Sequence, residues 1–269
     1  MTTIVNTQTW RQPPTGTAII SQSSTVAWRS LVNLKHYPWQ LVDFAILPVM
    51  ILLTITFFMG GQMMGSWQDF LQYGGPGIIA MGAMFATLNT ALGFHSDLKT
   101  GIFDRLSSMP VSRVALIAGR VLADLLKHTW AILIVAAVAV AIGYRPEADV
   151  WSVLGAVGVL LIFLAAISWF MVFIGLTAKS EEQIQTYMIS ILMPIAFSSS
   201  VYIEVETMPQ VLQWWANVNP MTYLADSVRA LLNGTDIGAS LWGLLAWCAA
   251  LTAIFLPLAL RAYRRRLNS

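Results

Sequence analysis

The sequence predicts an all-α integral membrane protein with six transmembrane helices, and three observations predict it. Hydrophobic residues make up 57% of the 269 and charged residues only 10%, against about 25% charged in a soluble domain. Mean hydropathy is +0.68, so the charges are too few to coat a water-soluble fold. Apolar runs near the roughly 20 residues that a helix needs to cross the hydrocarbon core recur along the chain, and a helix satisfies its own backbone where no water is present to do so.

Residues 1–27 read as a polar N-terminal tail without an apolar h-region or cleavage site, which does not resemble a secretory signal. A single transmembrane domain is expected over 28–269. It opens at 28–39, where Trp28, Leu31, Val32, Leu34, Tyr37 and Trp39 alternate with Arg29, Asn33 and Lys35. That mixture suits an interfacial amphipathic helix, with a cytoplasmic extension of the first span as the alternative. Spans are expected at about 40–60, 75–94, 123–143, 151–177, 186–201 and 239–260, with a re-entrant region over 202–236 before the last. Of the fifteen Lys and Arg residues, twelve fall in segments that this layout puts on one side, Arg145 and Arg229 fall on the other, and Lys127 lies within the third span. The basic excess marks the cytoplasmic side, so both termini are expected there. Trp67, Trp151, Trp214, Trp215 and Trp242 fall near span ends, as interfacial anchors do.

Between the second and third spans, residues 95–120 read HSDLKTGIFDRLSSMPVSRVALIAGR. Leu98, Ile102, Leu106 and Met109 recur at helical spacing beside a polar face of Asp97, Lys99, Asp104 and Arg105, which predicts a short amphipathic helix. Pro110 breaks it, and Ser112 is placed to cap the next helix. Such a helix either lies on lipid or docks into a groove of a soluble partner. At the start of the third span, Arg120, Asp124 and Lys127 share a face at spacings of four and three and are expected to neutralise one another. His95 is expected at headgroup level.

The segment 198–236 is too apolar for a solvated loop, yet Glu204, Glu206, Pro209, Asn219 and Pro220 interrupt any continuous span. Re-entrant or interfacial helices fit it, because irregular backbone at membrane depth survives only where protein or a water-filled cavity shields it. Asp226 and Arg229 are three apart and can pair. Lys179, Ser180, Glu181, Glu182 and Gln183 read as a second short cytoplasmic loop, and Arg261, Arg264, Arg265 and Arg266 as a positive stop that binds anionic headgroups.

Two of these segments carry a family resemblance. The run Gly101, Phe103, Arg105, Leu106, Met109, Pro110, Ser112, Arg113, Gly119 and Arg120 resembles the stretch after the second span in ABC-2 type exporter permeases of the daunorubicin-resistance and polysaccharide-export kind. The run Asn219, Pro220, Met221, Thr222 and Tyr223 is similar to the Asn-Pro-x-x-Tyr segment before their last span. The resemblance implies that Leu98, Ile102, Phe103, Arg105, Leu106, Met109, Pro110 and Arg113 belong to a coupling helix, with Glu182 near the same ATPase partner. It implies that Asn219, Pro220 and Tyr223 belong to an outer gate, and that the chain resides in a bacterial cytoplasmic membrane. It also implies a dimer with a second permease copy or a related permease chain.

The chemistry that is missing agrees with this. The chain has no G-x-x-x-x-G-K-[ST] phosphate loop, no H-E-x-x-H and no G-x-S-x-G elbow. No catalytic residue and no metal or cofactor of its own is therefore expected, and ATP and Mg²⁺ are assigned to a separate nucleotide-binding subunit. The lone Cys248 has no partner for a disulfide or a metal site. A net charge of +2, spread along the chain apart from the terminal cluster, argues against nucleic acid. Spans almost free of charge away from their ends leave no site for a coupling ion, so the driving force is expected from outside. Candidates for the path are Met84, Thr87, Asn89 and Thr90 in the second span and Gln185, Tyr187 and Met188 at the start of the fifth. With Met81, Phe85 and Met193 beside them, these suit a hydrophobic or amphipathic substrate such as a drug-like molecule or lipid conjugate. The alternatives are a polysaccharide or lipid-linked glycan exporter permease and, in a different class, a non-transport membrane scaffold.

Overall fold

A computed structural model describes residues 25, 39–100 and 113–267, and among these every regular element is helical. Helix α1 (Trp39–Thr54) passes through a π-helical turn, Ile55–Met59, into α2 (Gly60–Met64). Helix α3 (Trp67–Ala86) starts at Ser66, whose hydroxyl accepts the Asp69 amide at 3.0 Å. It breaks at Thr87, whose hydroxyl donates back to the Met84 carbonyl at 2.6 Å, and resumes as α4 (Leu88–Lys99). Helix α5 (Arg113–Ala141) is followed by α6 (Val150–Thr177), capped by Asp149 through the Ser152 amide at 3.0 Å. Hydrogen bonds from the Ser152 hydroxyl and amide hold the Asp149 carboxyl below its usual range. Then come α7 (Glu181–Phe197), α8 (Gln210–Ala216), α9 (Pro220–Leu232) and α10 (Gly238–Leu267).

Five stretches are long and apolar enough to cross a membrane: Phe44–Met64, Trp67–Lys99, Ile117–Ala141, Val150–Thr177 and Gly238–Arg265. They match the first four and the last of the expected spans. The expected fifth span is α7, which has 17 residues and is ~26 Å long at 1.5 Å per residue, short of the ~30 Å hydrocarbon core. Its bounds are also displaced toward the N-terminus. Ser180 and Gln183 form a pair of the capping-box kind, with the Ser180 hydroxyl accepting the Gln183 backbone amide and the Gln183 side-chain Oε1 accepting the Lys179 amide. Glu181 to Gln183 are therefore the first helical turn and not a loop. At the other end the Ser198 and Ser199 hydroxyls bond the carbonyls of Pro194 and Ala196, competing with helix continuation. The second expected span is longer at both ends, and His95 is buried near its C-terminal end. The expected interfacial helix over 28–39 lies outside the described residues apart from Trp39, with which α1 begins.

Helix α6 is the hub. It is apolar all round its circumference, as a helix surrounded by others should be, and packs against α10, α4, α9 and α5. Helix α3 packs in turn on α1, α9 and α5. Phe70, Ile78, Met81 and Met84 of α3 meet Phe163, Leu164 and Met171 of α6 and Leu224 and Val228 of α9 in one continuous core. By contrast, only 17% of the apolar stretch of α10 is buried, so most of its surface faces outward. Lipid tails are as apolar as leucine, which leaves close backbone approach to hold helices together. At Gly175 of α6 a Cβ would sit 2.5 Å from the Ala91 carbonyl oxygen and 3.1 Å from the Phe94 Cβ of α4. Gly175→Ala is expected to push α4 from α6 and destabilise the fold by about 1–3 kcal/mol. Gly158→Ala in the same helix meets nothing within 4 Å, so thermal unfolding in detergent should separate the two variants.

Candidate functional site

The polar chemistry gathers at the two ends of the bundle, with an apolar groove between them. At the end where α4 stops and α5 starts, Asp97 of α4 accepts from the Arg120 guanidinium at 2.5 Å. Arg120 also lies 3.6 Å from Asp124, and the Lys127 ammonium reaches the other oxygen of that carboxylate at 3.1 Å. The Asp124 and Lys127 side chains are 2% and 9% exposed, so each charge needs the other. The Lys127 ammonium sits 5.5 Å from the centroid of the Phe44 ring of α1, which also lies tilted against His128 with the ring centroids 5.5 Å apart. Two acids and two bases thus join α1, α4 and α5. Spacing alone gives the partners on α5; Asp97 comes from another helix and carries no local signal. The exposed pair Lys99 and Glu181, 3.6 Å apart, brings the end of α4 beside the start of α7.

This cluster brackets residues 101–112, which hold most of the expected coupling helix. Ile102, Phe103, Arg105, Leu106, Met109 and Pro110 lie outside the described residues. Arg113 is the first residue of α5, Leu98 is half-buried on α4 against the smaller core around Phe94 and Val172, and Glu182 is exposed on the first turn of α7.

At the opposite end, Asn219 begins α9 by accepting the Met221 amide on its carbonyl, while its amide donates to the carbonyls of Ile195 and Ser198. Pro220 at the first helical position lacks the amide that would be orphaned there. The Tyr223 ring lies against Gly243 of α10, where a Cβ would come within 2.6 Å. Asp226 and Arg229 do pair, at 2.6 Å, and the pair is part of a larger latch. The guanidinium also donates to the carbonyls of Ser200 (2.9 Å) and Tyr73 (3.0 Å) and stacks 4.0 Å from the Tyr73 ring centroid. Ser200 in turn donates to Asp226 at 2.7 Å. Arg229 therefore ties α9, the turn after α7 and the first turns of α3. Beside it, Tyr144 reaches Asn233 at 3.4 Å, and burial pushes its phenol up to about 12. It stays protonated at neutral pH.

Between the two ends, α1, α3 and α7 leave an open groove of about 260 Å³ lined by Met50, Ile51, Thr54, Ile55, Met81, Phe85, Met193, Phe197 and Tyr202. The groove lies beside the π-helical turn of α1. Of the expected path residues, Gln185 and Tyr187 are exposed on α7 and Asn89 is half-buried, whereas Thr87, Thr90 and Met188 are buried. Met84 faces a separate apolar cavity of about 180 Å³ shared with Trp215, Trp247 and Phe255. The methionine and aromatic neighbours Met81, Phe85 and Met193 are the ones that reach the groove.

Replacing Arg229 by Met should leave the two carbonyls and the Asp226 carboxylate without their donor. A destabilisation of about 1–3 kcal/mol is expected, kept to that range because Asp226 is 34% exposed to solvent. Asp226→Asn retains an acceptor for both Arg229 and Ser200 and should cost less. Thermal unfolding of the two purified variants gives the order.

The model of the ABC-2 type transporter family matches residues 21–233. The daunorubicin resistance ABC transporter permease protein DrrB1 of Streptomyces coeruleorubidus is 31% identical over 256 residues, covering 94% of this chain and 89% of that protein. A match over most of the chain to the family, and to a full-length relative, agrees with the multi-pass helical architecture and with the two motif segments around 101–120 and 219–223. The chain belongs to the ABC-2 type transporter family, as a membrane permease subunit without an ATPase site of its own.

Proposed function

We propose that this chain is one half of the membrane unit of an ATP-driven exporter, moving a hydrophobic or amphipathic solute out of the cytoplasm or its inner leaflet. ATP and Mg²⁺ belong to a separate nucleotide-binding subunit, and a second permease copy or related chain faces this one across the path. In this reading α7 with the turn that follows makes a sixth crossing, so both termini are cytoplasmic in a bacterial plasma membrane. Helices α8 and α9 are then a re-entrant pair above the path, with Asn219, Pro220 and Tyr223 at the outer gate.

The groove between α1, α3 and α7 carries the choice of solute. Its lining has five methionine or phenylalanine side chains and no charged group, a surface that adapts to varied apolar shapes and offers a glycan few hydrogen-bond partners. The relative's association with daunorubicin resistance supports the same class of solute. Energy would enter through the segment 101–112. Its flanks are fixed by the Asp97, Arg120, Asp124 and Lys127 cluster, so displacement of that segment is passed to three helices at once.

Two measurements test these assignments. In proteoliposomes holding the permease with its ATPase subunit, Leu106→Asp should lower solute-stimulated ATP hydrolysis about tenfold, as loss of a docking anchor does. Undiminished hydrolysis in an assembled complex removes the coupling assignment. Met193→Asp puts a charge into the groove at a cost of about 2.5–3.5 kcal/mol at membrane depth, and should cut ATP-dependent uptake of an amphipathic dye into inverted vesicles more than tenfold. Unchanged dye uptake, or export of a lipid-linked glycan in its place, removes the solute assignment.

A further inference from the structure

Helices α6 and α10 border a cavity of about 550 Å³ at the basic end of the bundle, within the ~300–1,000 Å³ range of ligand-binding clefts. Its walls include Phe173 and Thr177 of α6 and Leu258, Ala262, Arg261 and Arg265 of α10. The two arginines are four residues apart and so project from one helix face. Both are exposed, and among the described residues neither enters an ion pair. No acidic side chain lines the cavity. Arg264, between them in sequence, is exposed but does not line it.

Depth fixes what can reach this place. Residues 237–260 carry no charge and would extend ~36 Å as a helix, enough to cross the ~30 Å hydrocarbon core. Arg261 is the first charge after that run, which puts its guanidinium at phosphate level. The α10 surface leading to it faces outward from the bundle. A cavity at headgroup depth with two guanidiniums that enter no ion pair among the described residues, above an apolar wall of Phe173 and Leu258, is complementary to one molecule in reach, a phospholipid with a net negative headgroup. Basic pockets between transmembrane helices bind such headgroups, and planar guanidinium suits a phosphodiester better than ammonium does.

We propose that the cleft between α6 and α10 is a specific site for an anionic phospholipid, its phosphate held by Arg261 and Arg265 and its first acyl segment laid against Phe173 and Leu258. The lipid fastens the outward-facing α10 to the hub helix α6. The proposal rests on the topology given above only in placing the lipid in the cytoplasmic leaflet.

Native mass spectrometry of the purified full chain, released from micelles doped with equal phosphatidylglycerol and phosphatidylcholine, tests it. Wild type should retain phosphatidylglycerol about an order of magnitude more than phosphatidylcholine, and the pair Arg261→Gln with Arg265→Gln should abolish that preference. Leu258→Trp, which fills the apolar wall and keeps both arginines, should also abolish it, whereas Arg264→Gln should not. Equal retention of the two lipids by wild type overturns the proposal. A preference untouched by Leu258→Trp, or lost equally in Arg264→Gln, also overturns it, because either marks diffuse attraction to a basic surface. If the arginine pair fails to fold, Leu258→Trp and Arg264→Gln still decide. Lipid retention needs no ATP, so a negative result leaves the exporter reading standing.

Discussion

A backbone amide or carbonyl left unpaired in hydrocarbon costs several kcal/mol, and the whole fold follows from that constraint. It makes every crossing a helix and confines irregular backbone to places where protein supplies partners. The turn after α7 is such a place. The Ser200 carbonyl takes the Arg229 guanidinium, the Ser198 carbonyl takes the Asn219 amide, and the Ser200 amide is bonded to the Thr222 hydroxyl. Three residues of α9 and its cap thus do for this turn what water would do for a surface loop. The dense burial of α9, from Pro220 to Leu232, is the consequence, because a helix that satisfies an interior turn must itself be interior.

The same cost explains where the charges are. Asp124 and Lys127 are almost fully buried, and only their mutual contact and the Asp97 and Arg120 pair make that tolerable. Removing one member of such a set leaves a charge without its counterpart, so the cluster acts as a unit. It gives the ends of α1, α4 and α5 a fixed geometry on either side of residues 101–112. The latch around Arg229 does the corresponding job at the other end, fixing α3 to α9. Interior stability comes from dispersion and close approach, as at Gly175, and the polar sets define register at the two ends.

Much of this is legible in the sequence, and the parts that are not have a physical reason. Five crossings can be read because length and hydropathy are properties of a segment by itself. The neutralising set on α5 and the Asp226 and Arg229 pair can be read because helical spacing brings neighbours on one helix together. Asp97 and the carbonyls of Tyr73 and Ser200 come from other helices, and no local pattern announces them. The start of α7 was legible in principle, since Ser180 and Gln183 have the spacing of a capping box, but a run of Lys, Glu and Gln outweighs it when polarity alone is weighed. Among the path candidates, the polar residues Thr87 and Thr90 are buried. A hydroxyl in an apolar helix can serve its own backbone, as Thr87 does toward Met84, so polarity within a span does not by itself mark a path.

Helix α7 is held more loosely than the hub. It packs chiefly on α4 and α9, buries the single row Ile184, Met188, Leu192 and Ala196, and presents Tyr187, Ile189, Met193 and Phe197 outward. It is tied at its ends, by Glu181 to Lys99 and by the Ile195 carbonyl to Asn219, while its middle borders the open groove. Both ties lead to the polar clusters, the first to the end of α4 beside Asp97, the second to the cap of α9. A displacement at the basic end therefore has a physical route along a thinly packed helix to the Arg229 latch at the opposite end, passing the groove on the way. A single row of contacts slides at lower cost than an interdigitated core, which is rigid because it is close-packed. The helix that lends Met193 and Phe197 to the groove is thus also one whose movement the packing opposes little.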